Sequence, residues 1–460
     1  MKKLLLLNIV GLSPKHIGAH TPNLKKLADK GCQSFIHSML PAVTCSVQTT
    51  YFTGETPAQH GIVGNGWYFR DQAEVRLWHQ SNHLIQAEQI WTNLKKLDTS
   101  ASSANIFCWY NMYCPADTAV TVRPMYPSDG RKIPDIYTAP KSLRAKLNSK
   151  LGAFPLFNFW GPKSNIKSSE WITDSAVYCL EQNKPNFAAV YLPHLDYALQ
   201  KVGPEHPSIA DELKAIDKQA GKLIRYAQKN NYQLVALSEY GIHSVSRTCH
   251  INRLFRKKGW LSIREELGLE LLDAGASKVF AVADHQVAHI YIKDESLRLE
   301  VRELLAQQDE IDLILGEEEK IAQGLNHARS GELIAVCKTD AWFSYYYWLD
   351  DNKAPDFARC VDIHRKPGYD PVELFIDPAI KFPLLKVVKK LIQKKLGFRT
   401  LMDLIPLDTS LVKGSHGAVS SKPEEGAIFI SSEAGALTEE QKAAGISATH
   451  VYASLLRLLR

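Results

Sequence analysis

The chain has 460 residues, of which 45% are hydrophobic and 23% are charged, so it can bury a large core in one domain with an insertion or in two domains. Its formal net charge of +6 suits an anionic substrate but does not predict specific nucleic-acid binding. Eight cysteines without a CxxC pair predict reduced thiols and a cytoplasmic protein. Composition therefore argues against a small disulfide-stabilised protein.

The N-terminal stretch MKKLLLLNIVGL resembles a short signal peptide in its pattern of lysines followed by apolar residues. Its apolar run is short, it lacks a cleavage site of small residues, and a turn and helix follow at once. We therefore predict a buried parallel strand over residues 3–10.

Strand and helix patterns alternate along much of the chain. We predict helices over 21–30 (with Thr21 as the N-cap), 87–97, 170–182 and 209–229, and strands over 33–39, 104–109, 187–192 and 232–237. This alternation predicts an α/β fold, with a mostly parallel central sheet and helices on both faces.

Two segments depart from this alternation. Residues 111–168 show no clear period and are expected to form an irregular, lid-like insertion. Residues 278–348 are predicted to form a smaller α/β subdomain with one long strand over 279–292 and another over 342–348. The aromatic run AWFSYYYW is best interpreted as a strand packed on both faces, and a base-stacking platform is the alternative. The catalytic core would then comprise 1–247 and 365–460.

The stretch PAVTCSVQTTYFTGETPAQHGIVGN, residues 41–65, places Thr44 at the predicted N-cap of a helix. A hydroxyl there faces unpaired N–H groups and the positive end of the helix dipole, which is a good environment for a phosphate. The same pattern is typical of an ordinary threonine cap followed by a glycine-rich turn.

The order of residues after Thr44 favours the first interpretation. The stretch resembles the nucleophile region of the alkaline phosphatase superfamily, in its nucleotide pyrophosphatase/phosphodiesterase branch. There a Thr is followed by the pattern TG..P..HGI..N, which this chain carries from Thr53 to Asn65. The resemblance implies an alkaline-phosphatase-like fold, Thr44 as the nucleophile, and Asn65 as the residue that hydrogen-bonds a phosphoryl oxygen. It also implies a phosphorylated small molecule as the substrate.

The resemblance further implies one or two divalent metal ions and the residues that would bind them. By the order of the family's motifs, these are Asn8, Thr44, Asp196, Gln200, Glu239, Tyr240 and His416. Four of the seven differ from the family pattern, which has Asp, His, Asp and His where this chain has Asn8, Gln200, Glu239 and Tyr240.

The altered set is rich in oxygen and contains one imidazole where the family has three. The family implies zinc, whereas oxygen ligands suit Mg, Mn or Ca, and a Tyr240 phenolate would suit ferric iron. Asp284 and His285 form a candidate second pair that could replace lost ligands.

The function predicted from these residues and the resemblance is a metal-dependent phosphoester hydrolase, of the phosphodiesterase or pyrophosphatase type, that forms a phospho-threonine intermediate. Two alternatives are consistent with the same residues. One is a catalytically degenerate member that binds a phosphorylated or lipid-like ligand without turnover, which the altered ligands favour. The other is a phosphotransferase or mutase of the same superfamily.

Residues 381–399, KFPLLKVVKKLIQKKLGFR, carry seven basic residues and no acidic one. As a helix this segment would be amphipathic and cationic, which is typical of adsorption to an anionic membrane. A surface helix with solvated lysines is the alternative. The sequence does not predict the oligomeric state.

Overall fold

The structure, a computed structural model, describes residues 1–420 and 422–460. Its strands in chain order are β1 (Leu4–Ile9), β2 (Cys32–His37), β3 (Gly66–Phe69), β4 (Glu74–Leu77), β5 (Ser103–Ile106), β6 (Thr118–Val122), β7 (Ile136–Ala139), β8 (Phe187–Leu192), β9 (Gln233–Leu237), β10 (His243–Ser244), β11 (Arg247–Cys249), β12 (Ile263–Glu266), β13 (Leu269–Leu272), β14 (Val279–Asp284), β15 (Val287–Ile292), β16 (Ile311–Leu315), β17 (Leu333–Cys337), β18 (Ala341–Phe343), β19 (Gly414–Ser415), β20 (Ala427–Ser431) and β21 (Ile446–Ser447). Its α-helices are α1 (Pro22–Lys30), α2 (Thr44–Thr53), α3 (Pro57–His60), α4 (Ile90–Leu97), α5 (Ser142–Leu151), α6 (Leu156–Phe159), α7 (Lys167–Asn183), α8 (His194–Val202), α9 (Ile209–Lys229), α10 (Ile251–Lys257), α11 (Arg298–Ala306), α12 (Glu317–Ala322), α13 (Pro383–Lys395), α14 (Glu439–Ala444) and α15 (Ala448–Leu459).

Within the described residues, nine strands form a central sheet in the order β21-β2-β20-β9-β1-β8-β5-β6-β7. Most neighbours are parallel; β20 and β7 run antiparallel to theirs. The predicted α/β fold class is therefore confirmed. The apolar strand β1 is buried along its whole length because it lies between β8 and β9, inside the sheet.

Three adjacent parallel strands, β9, β1 and β8, end at the same edge of the central sheet. Glu239 follows β9, Asn8 lies near the end of β1, and Asp196 lies in the first turn of α8, just after β8. Parallel strands place functional side chains at their carboxyl ends, so distant parts of the sequence meet here.

A second sheet of four antiparallel strands, β14-β15-β17-β16, has its own apolar cluster. The strand predicted over 279–292 is in fact a hairpin of β14 and β15, and Asp284 and His285 lie at its turn. His285 has a φ of 60°, which ends the extended strand conformation there. The strand predicted over 342–348 is shorter than expected: β18 ends at Phe343, and the buried aromatic residues after it are irregular.

The segment 111–168 is not irregular as predicted. It contains β6 and β7, which extend the central sheet, and the helices α5 and α6. The alternating pattern of β6 is weak because this strand is buried on both faces, so it has no polar side. The division into a core of 1–247 with 365–460 and a subdomain of 278–348 stays a prediction. Ser421, which falls within the predicted core, lies outside the described residues.

The eight cysteines are free thiols, and seven of them are buried. Among residues 1–420 and 422–460, no helix combines the length and apolar character needed to cross a membrane.

Candidate active site

Thr44 lies at the beginning of α2, on the wall of a large cavity. It is the first helical residue, not the N-cap as predicted; the cap position belongs to Val43. Its hydroxyl oxygen lies 2.8 Å from the phenolic oxygen of Tyr240. Thr44 is buried apart from its cavity-facing surface, so the N-terminal end of α2 points at the space where a ligand would sit.

Asn65 is held against the same helix terminus. Its Oδ1 accepts a hydrogen bond from the Cys45 N–H (3.0 Å), and its Nδ2 donates to Asp284 Oδ1 (3.0 Å). Asp284 also accepts from the Asn65 N–H (2.8 Å) and lies 2.8 Å from His285 Nδ1. Both carboxylate oxygens of Asp284 are thus engaged, so the structure makes Asp284 a support for Asn65 rather than a replacement metal ligand.

Glu239 accepts two amide hydrogen bonds at one carboxylate oxygen. Asn8 Nδ2 and Gln48 Nε2 each donate to Glu239 Oε1 at 2.6 Å. Gln48 was missed by the sequence reasoning, although it lies four residues after Thr44 and therefore on the same face of α2. Its own Oε1 accepts from the Trp109 N–H at 2.7 Å, which fixes the orientation of the amide.

Asp196 forms a second group with Gln200 and His416. Gln200 Nε2 donates to Asp196 Oδ2 (2.8 Å), and Gln200 Oε1 accepts from the hydroxyl of Tyr369 (2.9 Å). Gln200 therefore uses both ends of its amide within the protein and supports Asp196 instead of facing the cavity as a ligand. His416 Nδ1 donates to the carbonyl of Ala42, so its Nε2, 3.8 Å from Asp196 Oδ1, carries the lone pair.

A column of four stacked rings links these groups. Tyr240 stacks on His416 (3.6 Å between centroids), His285 lies against His416 with its ring tilted by 35° (3.7 Å), and His285 stacks on Tyr369 (3.5 Å). Tyr369 lies in the turn-rich segment RKPGYDP, and nothing in that segment signals a role at the site. Through these contacts, His416, from the C-terminal part of the chain, lies beside Tyr240, and the turn of the β14–β15 hairpin becomes part of the site.

Burial dominates the electrostatics of the site. It raises the pKa of Glu239 to about 8 and that of Asp196 to about 7, despite hydrogen bonds that oppose the shift. Burial also lowers the pKa of His416 and His285 well below the ordinary value, so both imidazoles are neutral. The pKa of Tyr240 is raised well above its ordinary value, which disfavours the phenolate that ferric iron would need.

The residues do not fit the two-zinc centre that the resemblance implies. Within the described chain, no three His, Cys, Asp or Glu side chains converge as a metal site. Three buried oxygens in this cluster nevertheless lack a hydrogen-bond partner: Asn8 Oδ1, Glu239 Oε2 and Asp196 Oδ1. Unpaired carboxylate and amide oxygens beside the Thr44 hydroxyl fit one hard cation such as Mg²⁺, Mn²⁺ or Ca²⁺ better than zinc.

The cavity in front of Thr44 has a volume of about 2170 Å³, which is large enough for a ligand with an extended apolar part. Its walls are aromatic near Thr44, where Trp109, Trp160 and Tyr197 lie. The cavity wall also carries basic residues, among them Arg123, Lys132, Arg365, Lys394, Lys395 and Arg399.

Comparisons with known proteins agree with this geometry. The family model described as type I phosphodiesterase / nucleotide pyrophosphatase matches residues 4–370. An uncharacterised pyrophosphatase/phosphodiesterase of Schizosaccharomyces pombe is 23% identical over 239 residues, which are 49% of this chain and 41% of that protein. The chain thus spans less than half the length of this relative.

Solved structures show the same fold at low identity. Phosphonoacetate hydrolase from Sinorhizobium meliloti 1021, in complex with phosphonoformate, superposes with a TM-score of 0.64 and 16% identity, over 100% of this chain and 96% of that chain. An inactive form of murine ectonucleotide pyrophosphatase/phosphodiesterase 5 in complex with AMP gives a TM-score of 0.59 and 14% identity, over 100% and 95% of the two chains.

Proposed function

Because the chain belongs to the type I phosphodiesterase/nucleotide pyrophosphatase family, we propose that it hydrolyses a phosphoester of a small molecule, with Thr44 as the nucleophile. The observation that carries this proposal is the Thr44 hydroxyl at the N-terminus of α2, inside the cavity and 2.8 Å from Tyr240. Phosphonoformate and AMP, the ligands of two structural relatives, support a phosphorylated substrate.

In the proposed reaction, the Thr44 oxygen attacks phosphorus and the leaving oxygen departs, which forms a phospho-threonine that water then hydrolyses. The Glu239 carboxylate, whose Oε2 has no hydrogen-bond partner, takes the hydroxyl proton. Asn65 and the backbone N–H groups at the start of α2 bind the phosphoryl oxygens, as donors of this kind do for developing negative charge.

A divalent metal ion is part of the proposal. Asn8, Glu239 and Asp196 would hold it, and the unpaired oxygen of each of these three side chains supports this part of the proposal. When bound, such an ion neutralises phosphoryl charge and lowers the pKa of the nucleophile. Two amides orient the carboxylates: Gln48 donates a hydrogen bond to Glu239, and Gln200 donates one to Asp196.

A second candidate function is binding of a phosphorylated or lipid-like ligand without turnover. It is favoured by the amide groups of Asn8, Gln48 and Gln200, which satisfy carboxylate oxygens that would otherwise need a cation. Phosphotransfer to an acceptor other than water, as in a mutase, would use the same nucleophile.

The test is an assay of an aryl phosphodiester and an aryl monoester with Mg²⁺, Mn²⁺, Ca²⁺ and Zn²⁺ in turn. We expect diester turnover with at least one of the first three ions, and a loss of at least about a thousandfold in Thr44→Ala. Thr44→Ser is the matched control, since it keeps the hydroxyl and should retain measurable activity. Turnover that survives Thr44→Ala would overturn the nucleophile, whereas no turnover together with saturable AMP binding would favour the second function.

A further inference from the structure

The helix α13 places its apolar side chains in water. Leu384, Leu385, Val388, Leu391 and Ile392 follow the spacing of one helix face, and each is more than half exposed. The flanking residues Phe382, Leu396 and Phe398 are exposed as well. No residue of α13 is buried, so the apolar face of this helix does not pack on the protein core.

The helix α13 contacts the rest of the protein through its polar face, whereas an ordinary surface helix packs on the protein through its apolar face. Lys386 and Lys390 each form an ion pair with Asp403 at 2.9 Å, and Lys386 also donates to the Asp403 carbonyl. The polar face therefore rests on the protein, and the apolar face points outwards. An ordered apolar stripe of this size marks an interaction surface rather than a scattered set of exposed residues.

The basic residues beside this apolar stripe indicate an anionic partner. The segment 381–399 contains seven basic residues and no acidic one, and Lys381, Lys389 and Lys395 are exposed beside the stripe. Apolar side chains flanked by lysines are the composition of helices that lie in the interface of an anionic membrane. A second copy of this chain would bring a like-charged segment against it, which opposes dimerisation through this face.

The helix also borders the mouth of the cavity. Its residues Leu391, Lys394 and Lys395, and the following Phe398 and Arg399, line the same cavity as Thr44. We propose that α13 and its flanking residues dock the protein on an anionic lipid bilayer, with the cavity mouth turned towards the lipid headgroups. Membrane docking does not depend on the proposed hydrolysis. The further idea that docking brings a phosphorylated amphiphile from the bilayer to the cavity rests on the proposed function.

Flotation of the full-length protein with vesicles tests the docking. We expect the protein to float with vesicles of equal parts phosphatidylcholine and phosphatidylglycerol, and not with pure phosphatidylcholine. High salt should release it, because screening weakens attraction to the anionic surface. Thr44→Ala should float like the wild type, so a failure of the proposed reaction leaves this result unaffected.

Two sets of variants identify the surface. The triple change Leu385→Ser, Val388→Ser and Ile392→Ser should weaken vesicle binding about a hundredfold, since three partly inserted side chains are lost. Its matched control replaces three exposed apolar residues elsewhere, with Leu299→Ser, Leu313→Ser and Ile321→Ser, and should bind normally.

The charge variant is Lys381→Gln with Lys389→Gln, which should weaken binding roughly 30-fold at about 1 kcal/mol per lysine. Lys26→Gln with Lys30→Gln, two exposed lysines of α1, is its control. Absence of flotation with anionic vesicles, or equal binding by the α13 variants and their controls, would overturn the proposal. A change in sedimentation coefficient of the serine variant without vesicles would overturn it too, by indicating self-association through this face.

Discussion

The hydroxyl of Thr44 and the phenol of Tyr240 lie 2.8 Å apart, at a position where the family pattern has a histidine. The Tyr240 ring is fixed by stacking on His416, so it orients the Thr44 hydroxyl without carrying charge. Tyr240 thus joins the two groups of polar residues: it contacts Thr44 through its hydroxyl and His416, which lies beside Asp196, through its ring.

Loss of the Tyr240 hydroxyl should therefore reduce turnover. In Tyr240→Phe we expect kcat to fall by about two- to tenfold with little change in KM, since a hydrogen bond between neutral groups contributes about 0.5–1.5 kcal/mol. The measurement is steady-state kinetics with the aryl diester. Tyr51→Phe is the control, because it removes a buried phenol from α2 that donates to the Ser238 carbonyl and does not contact Thr44. Wild-type kcat in Tyr240→Phe would contradict the assigned role.

Restoring an acid at position 8 should make stability depend on metal. Asn8 donates to Glu239 at 2.6 Å, so Asn8→Asp would place two buried carboxylates side by side. We expect the free energy of unfolding in EDTA to fall by at least about 2 kcal/mol, because like charges in a buried site repel. Excess Mn²⁺ should then raise the melting temperature of Asn8→Asp more than that of the wild type. Equal metal-induced shifts in the two proteins would refute this account of the cluster.

A buried cation supports the loop that carries Tyr369. Lys366 lies 2.7 Å from both Asp370 and Glu373, and all three side chains are almost completely buried. Lys366→Met should lower the free energy of unfolding by about 3–5 kcal/mol, because two buried carboxylates lose their partner. Lys25→Met removes an exposed ion pair to Asp29 at the same i,i+4 spacing and should cost less than about 1 kcal/mol. Urea denaturation of both variants measures the difference, and similar losses would contradict the prediction.

Acid should destabilise the protein through His60. Its Nδ1 accepts a hydrogen bond from the Ile62 N–H, its Nε2 bonds the Thr50 hydroxyl, and burial lowers its pKa from 6.5 to about 3. The unfolded chain thus binds an extra proton between these two pH values. As the pH drops below 6.5, the protonation of His60 in the unfolded chain should lower the free energy of unfolding by about 1.4 kcal/mol per pH unit.

Denaturation curves of the wild type and His60→Gln over this pH range test the linkage. The variant lacks the titrating ring, so its unfolding free energy should decline less steeply with acid. Parallel pH dependences would show that His60 does not contribute.

The fold class could be predicted from local sequence patterns alone. Alternating strand and helix patterns predicted the parallel sheet, since amphipathic periods report local structure directly. Polar residues at the carboxyl ends of parallel strands are expected at one edge of the sheet, and Asn8, Asp196 and Glu239 lie at that edge. Thr44 and Asn65 were found from the spacing of a short, continuous stretch.

The contacts of these residues could not be predicted, because they depend on how distant parts of the chain pack together. His285 and Tyr369 enter the site from a hairpin turn and from an irregular loop, and no periodic pattern marks such positions. The directions of the Gln48 and Gln200 amides depend on partners that are distant in sequence, Glu239 and Tyr369. The exposure of the apolar face of α13 was equally invisible, because a helical pattern defines two faces but not which of them packs on the protein.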